Sequence, residues 1–338
     1  MTLHTPRLVL VMVLAAPLVA PATAQAADRS DGTRPGLAAE AQRNRAEQTD
    51  RFTRTFKVGA DGQVFLGNIA GDIKVTAGGA GEVTIEVVKT ARARSDEDAR
   101  EQLARVEVEV TERAGRVEAR TRYPHVENRS MNVSVDYTVT APPGVRVQAR
   151  SISGDISLTG ITGAVNAETT SGEVVIRNGA RVEQAKSISG NVEIQGVDQD
   201  GTLEASSVSG DVRVRDVKVR RLDLSSTSGD VEVGPVTCET AELKSTSGDV
   251  DYTGALQRGG RYELRTHSGT VRVTISGDVG FELDASSFSG SIDSELPITI
   301  GRSTGERSSR RSVRGTYGDG GASLEVSAFS GDVIIRRR

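Results

Sequence analysis

A serine–glycine pair recurs along this chain at a spacing that leaves few folds open. From residue 150 onward it ends on Gly154, Gly172, Gly190, Gly210, Gly229, Gly248, Gly269, Gly290 and Gly331, at intervals of 18, 18, 20, 19, 19, 21, 21 and 41 residues. The last interval is close to two periods, which predicts a coil there that has lost its signature. A fixed period of this length is the mark of a stacked-repeat architecture.

Other columns keep the same register. Two residues after each glycine stand Ile156, Val174, Val192, Val212, Val231, Val250, Val271, Ile292 and Val333. Five before stand Ala149, Ala167, Ala185, Ala205, Leu224, Leu243, Leu264, Ala285 and Val326. Apolar residues at alternate positions define the inward face of a strand. The Gly-Asp step shifts the parity, as a corner between two strands does. Each repeat therefore reads as strand, Ser-Gly-Asp corner, strand and loose return. One repeat buries too few apolar side chains to offset the ordering of its residues, so the coils must stack and share a core. The expected fold is all-β: a parallel β-helix-like solenoid of about 20-residue coils. In-register columns sustained over so many repeats disfavour a β-sandwich of short hairpins.

The N-terminal part is less regular. Residues 1–26 read as a signal peptide: Arg7, then an apolar run from Leu8, then the small-residue stretch Ala24-Gln25-Ala26. Residues 27–51 are polar and read as a flexible linker. Residues 52–145 read as a β-rich cap. Within it, Val64, Leu66, Gly71, Ile73 and Val75 match the repeat columns as a degenerate coil. Residues 95–106 predict one short helix with Ser95 as N-cap and acids in its first turn. The segment RVEVEVTERAGRVEART predicts a hairpin turning near Ala114-Gly115. Residues 146–338 are the repeat solenoid.

Composition narrows the function. The formal net charge is −4, the opposite of a general nucleic-acid binder. Tryptophan is absent and aromatics make up 3% of the chain, so stacking platforms for sugars or bases are scarce. With three histidines and one cysteine in the sequence, neither a zinc cluster nor a histidine-based triad is indicated. Cys238 reads as a small buried residue. No cofactor is expected, and no membrane-spanning segment follows the signal peptide.

The segments SISGDISL, STSGDVEV and STSGDVDY, with the closing GTYGDGGASLEVSAFSGDVIIRRR, resemble a bacterial family of exported β-strand-repeat proteins labelled candidate adhesins, a domain of unknown function. The resemblance covers roughly residues 55–338. It implies an envelope-associated, non-catalytic role, and some relatives are tied to envelope-stress sensing. It brings no catalytic residues with it.

Each recurrent residue has a structural and a functional reading. The serines and threonines at the corners could be nucleophiles, but nine equivalent copies read as hydroxyl ladders that satisfy the turns. The acids after glycine, including Asp155, Asp211, Asp230 and Asp249, could form a calcium ladder or cap turns, and the turn reading is preferred. A second acidic row (Glu204, Asp223, Glu242, Glu263, Asp284, Glu325) lies beside Lys186, Lys244 and Arg265. It reads as solvated cross-strand ion pairs in preference to a cationic-ligand groove. Two before glycine stand Ile152, Thr170, Ile188, Val208, Thr227, Thr246, His267, Phe288 and Phe329, apolar in many copies yet on the outward parity. Phe288 and Phe329 are therefore partner-binding candidates. So are Arg302, Arg307, Arg310, Arg311 and Arg314 in the segment that interrupts the repeat. The expected function is a non-catalytic, exported cell-envelope module, periplasmic or at the cell surface, binding an envelope polymer, an anionic lipid surface or another envelope protein. An envelope-stress regulator and a polysaccharide-active β-helix enzyme are the alternatives.

Overall fold

The computed structural model describes residues 46–79, 81–124, 131–300 and 311–338. The expected signal peptide and most of the expected linker lie outside them. The molecule is all-β apart from one helix, and its strands form one continuous, mainly parallel sheet wound into coils.

The regular part is built from β8 (Arg146–Ser153), β9 (Ile156–Thr159), β10 (Ala164–Ser171), β11 (Val174–Arg177), β12 (Arg181–Ser189), β13 (Val192–Asp198) and β14 (Thr202–Ser209). It continues through β15 (Val212–Ser228), β16 (Val231–Ser247), β17 (Val250–Ser268) and β18 (Val271–Ser276). Each coil pairs in parallel with the next, column on column: Ala167 opposes Ala185, Val192 opposes Val212, and Ser226 opposes Ser245. The predicted inward columns are buried, with Val174, Val212, Val231 and Leu264 at 0% exposure.

The corner glycine is required by close approach. At Gly172, φ is +148°, and a Cβ would stand 2.1 Å from the carbonyl oxygen of Gly154 in the coil below. The same contact recurs at Gly210, Gly229 and Gly248, at 2.2–2.3 Å from the preceding glycine oxygen. No side chain fits between two such corners, which explains why the residue never varies.

The return was expected to be loose. In β15, β16 and β17 it is instead continuous strand. Val217 and Val219 face inward, pairing with Val236 and Cys238, and Leu256 continues the row. These residues give the middle coils a further apolar wall.

Both ends depart from a simple stack. At the C-terminal end the chain passes from β18 to β19 (Phe281–Ser289) and β20 (Ile292–Ser294). It then runs out to β21 (Ser312–Tyr317) and returns as β22 (Ala322–Ser330) and β23 (Val333–Arg337). The final coil does not stack on the outside. β22 lies between β17 and β19, and β23 lies between β18 and β20. Among the described residues, the 41-residue interval holds no degenerate coil. It contains an excursion in which β21 pairs antiparallel with β19 and covers the sheet edge.

The N-terminal end is arranged alike. β2 (Gln63–Gly67) and β3 (Ile73–Ala77) form the predicted degenerate coil, which is inserted between β8–β9 on one side and β6 (Arg116–Arg122) and β7 (Val133–Ala141) on the other. Strand β5 (Glu107–Arg113) caps β6 as the expected hairpin, with Ala114 and Gly115 at positive φ in the turn. Strand β4 (Glu82–Ala93) caps β7 antiparallel, and β1 (Ala46–Lys57) adds to β4. β1 thus begins inside the segment read as linker. Its side chains are mostly exposed, and its order comes from the backbone ladder with β4, which a composition-based reading does not register. Helix α1 (Asp96–Arg105) starts at Ser95, whose hydroxyl accepts from the Asp98 N–H at 3.1 Å, as predicted, and it buries Ala99 and Leu103. Covered ends suit a solenoid, because a bare edge invites pairing with another chain. Among the described residues, no helix is long and apolar enough to cross a membrane.

Candidate partner-binding face

The buried serines and threonines three residues before each glycine, Ser151 apart, are spent on the backbone. Ser187 donates to the Gly172 carbonyl at 2.9 Å, Ser207 to Gly190 at 2.8 Å, Ser245 to Gly229 at 2.9 Å and Thr266 to Gly248 at 2.8 Å. All four are buried. Each hydroxyl thus binds the glycine one coil away, the ladder expected from the repeat.

The acids after glycine form a second ladder. The carboxylate of Asp155 accepts from the Glu173 N–H at 2.8 Å, Asp211 from Asp230 at 2.9 Å, Asp230 from Asp249 at 2.8 Å and Asp249 from Thr270 at 2.8 Å. Asn191 does the same for the Asp211 N–H at 2.9 Å. A carboxamide oxygen fills the role as well as a carboxylate, so charge is not what the position requires. Burial pushes the Asp249 carboxyl up, but the Thr270 N–H and the Arg272 guanidinium outweigh it and hold the group below the usual carboxylate range. The residues named for a calcium ladder are therefore engaged as turn acceptors, and no group of three or more metal-ligating side chains stands among the described residues.

The outer acidic row is paired. Lys186 meets Glu204 at 2.8 Å, Arg221 meets Glu242 at 2.8 Å and Arg265 meets Glu325 at 2.7 Å. Cys238 is buried, and burial pushes its thiol up to about 12, far from a reactive thiolate.

One column remains uncommitted, the outward position two before glycine. Ile152, Ile188, Val208, Phe288 and Phe329 are the exposed large apolar side chains on the coils, with Phe288 at 61% and Phe329 at 49%. The interleaved C-terminal end sets their order in space. Phe329 lies between His267 and Phe288, stacked on His267 at 4.7 Å and on Phe288 at 4.8 Å, with interplanar angles of 11° and 4°. Both spacings match the distance between neighbouring strands, about 4.8 Å. Arg311 stands over the Phe288 ring at 5.9 Å. The ladder lines a trough of about 630 Å³ with Lys244 and Arg265 on its side.

The structure thus brings together Phe288, Phe329 and Arg311, three of the residues singled out by sequence, and adds His267 to them. It does not bring Arg314 to the stripe. That residue lies on β21 and pairs with Asp284 at 3.0 Å. Arg302, Arg307 and Arg310 lie outside the described residues. The sequence reading had His267 in the column but could not place it beside Phe329, because the two are far apart in the chain.

Parallel coils around an apolar core, corners tied by hydroxyl and carboxylate ladders, and capped ends define an all-β solenoid. The chain belongs to the Toastrack DUF4097 family, a domain of unknown function, whose model matches residues 63–336. Three solved structures are similar to it at a distance. One is a candidate adhesin from Bacteroides fragilis, with 14% identity, 85% of this chain and 97% of that chain covered, and a TM-score of 0.43. Another is a candidate lipid-binding protein from Parabacteroides distasonis, with 14% identity, coverage of 86% and 97%, and a TM-score of 0.41. The third is a candidate cell adhesion protein from Clostridium sporogenes, with 11% identity, coverage of 86% and 100%, and a TM-score of 0.26. No curated protein matches the chain.

Proposed function

We propose that this protein is a non-catalytic binding module of the cell envelope, exported by its N-terminal segment, that presents the outward stripe of its solenoid to an envelope partner. The observation that carries this reading is the stacked, exposed ladder His267–Phe329–Phe288. Contiguous exposed aromatic rings mark contact surfaces, where they supply much of the binding energy. The buried hydroxyl column, Ser151 apart, and the ladder carboxylates are engaged by the backbone and so are not poised as a nucleophile and acid–base pair. Arg311 at the end of the ladder adds a cation to the same surface.

The test is a pull-down of the purified protein on isolated envelope fractions, beside Phe288→Ala/Phe329→Ala and Arg311→Gln variants. Binding that is lost with the phenylalanines supports the stripe. Binding that is lost with Arg311 and with added salt, but indifferent to the phenylalanines, would move the contact to the arginine segment. No binding by the unaltered protein would sink the adhesive reading and favour a regulatory role.

A further inference from the structure

The opposite end of the same face carries a second feature, independent of the aromatic ladder. A groove of about 830 Å³ runs across the coils from Phe65 to Thr227. That is within the range of small-molecule sites, roughly 300–1,000 Å³. At about 4.8 Å per strand, it is roughly 25–30 Å long. Ile152, Ile188 and Val208 line it, each about half exposed. Ile152, Ile188 and Val208, with Thr170 between the first two, span roughly 15 Å of it, one side chain in width, which suits a single extended alkyl chain.

Two arginines stand at one end of the groove, and the other end is lined by the uncharged hydroxyls of Ser225 and Thr227. Register places Gly67 between Arg120 on β6 and Arg150 on β8. Gly67 contributes no side chain, and the edge of the Phe65 ring and the Arg120 stem floor a notch between the two arginines. A Cβ there would come within 3.3 Å of the Phe65 ring and 3.6 Å of Arg120. Arg120 lies over the Phe65 ring at 4.9 Å and pairs with Glu118 through Nε, while Arg150 pairs with Glu168 through Nε at 3.2 Å. Both are about half exposed, and a guanidinium has five N–H donors, so each can serve a second acceptor.

Ser151 marks the same place. Its counterparts along the ladder donate to a glycine carbonyl, but here the Gly71 carbonyl is taken by Asn68 Nδ2 at 2.8 Å. Ser151 is 6% exposed, lines the groove, and its Oγ has no hydrogen-bond partner among the described residues. A buried hydroxyl left in this state is costly unless something bonds it.

We infer that this groove binds a single-chain anionic amphiphile of the long-chain carboxylate class. The carboxylate sits in the notch between Arg120 and Arg150. The alkyl chain lies along Ile152, Ile188 and Val208. A free monomer is favoured over a bilayer because only three aliphatic side chains line the groove and the charged Glu168 and Lys186 stand beside them.

The test is displacement of a fluorescent fatty acid from the full protein by hexadecanoate below its micelle concentration, with hexadecanol as the uncharged control. Saturable binding is expected. Ile152→Thr/Ile188→Thr/Val208→Thr, which installs the residue this column already carries at Thr170 and Thr227, weakens both ligands at least tenfold with an unchanged melting temperature. Arg120→Gln/Arg150→Gln weakens hexadecanoate about tenfold and hexadecanol less than twofold. Absence of saturable binding, indifference to both sets of variants, or binding to anionic vesicles without uptake of the monomer would each overturn the assignment. Phe288→Ala/Phe329→Ala leaves hexadecanoate binding intact, so this inference and the proposed envelope contact fail separately.

Discussion

Ser226 donates its hydroxyl to the carbonyl of Gly210 at 2.9 Å, and the same bond joins one coil to another along the solenoid. Its removal leaves a buried carbonyl short of a partner. Ser226→Ala is expected to cost about 1–2 kcal/mol in urea denaturation. The converse change tests the ladder more sharply. Ala328 occupies this column in the final coil, where a hydroxyl is missing. Ala328→Ser is expected to stabilise the protein by about 0.5–1 kcal/mol through a new bond to the Gly269 carbonyl. No gain in midpoint would show that the ladder is geometric and not energetic.

The glycines separate close approach from backbone conformation. At Gly229 a Cβ would lie 2.3 Å from the Gly210 oxygen, whereas at Gly259, with φ of +77°, nothing lies within 4 Å. Gly259→Ala is expected to cost about 1–2 kcal/mol, the ordinary cost of a left-handed residue. Gly229→Ala must also force two coils apart and is expected to cost at least about 3 kcal/mol. Equal losses at the two sites would refute the steric account of the corner.

Acid sensitivity follows from the carboxylate ladder. The folded-state pKa of Asp249 is depressed, so its contribution is fully present above the unfolded value of about 3.9 and is lost as pH falls through the folded value. Asp332 shifts the same way, because the Ser291 backbone N–H and hydroxyl bond its ionised form. The expected outcome is a melting temperature steady from neutral pH to about 4.5 that declines below about 4. Asp249→Asn keeps the acceptor, as Asn191 does natively, but loses the Arg272 pair at 2.8 Å. It should cost up to about 1 kcal/mol at pH 7 and make the acid decline shallower.

The stacked rings are separable from stability. Phe288 and Phe329 are about half exposed or more, and their stacking contributes about 0.5–1.5 kcal/mol. Phe329→Ala breaks both stacks and should cost about that much. Phe288→Ala breaks one and should cost less. A loss above about 3 kcal/mol for either would mark these rings as core and weaken their reading as a contact surface.

The repeat columns made the coil legible before any coordinates. The inward valines, the invariant glycine, the hydroxyl column and the exposed column all follow from period and parity, which are local properties. The order of coils in space is not local. Nothing in the run from Gly290 to Gly331 shows that the second of these glycines sits inside the first, and an interval close to two periods invited a missing coil. The N-terminal counterpart leaves a trace in the sequence. Arg116-Val117-Glu118-Ala119-Arg120-Thr121 repeats the pattern of Arg146-Val147-Gln148-Ala149-Arg150-Ser151. That likeness marks β6 as a coil strand as well as a hairpin arm, and with it the notch between Arg120 and Arg150. The candidate site was half legible for the same reason. Phe288 and Phe329 stood out by exposure parity, while their contact, and that of His267, depended on the interleaving.

That interleaving changes how the molecule carries mechanical load. In a simple stack, a pull on the last residue opens one edge, strand by strand, like a zip. Here β23 is held between β18 and β20, and β22 between β17 and β19. A tug on Arg338 must therefore shear two strand interfaces at once, against hydrogen bonds loaded side by side. The chain end behaves as a wedge driven into the rod, so tension applied there meets resistance from its interior.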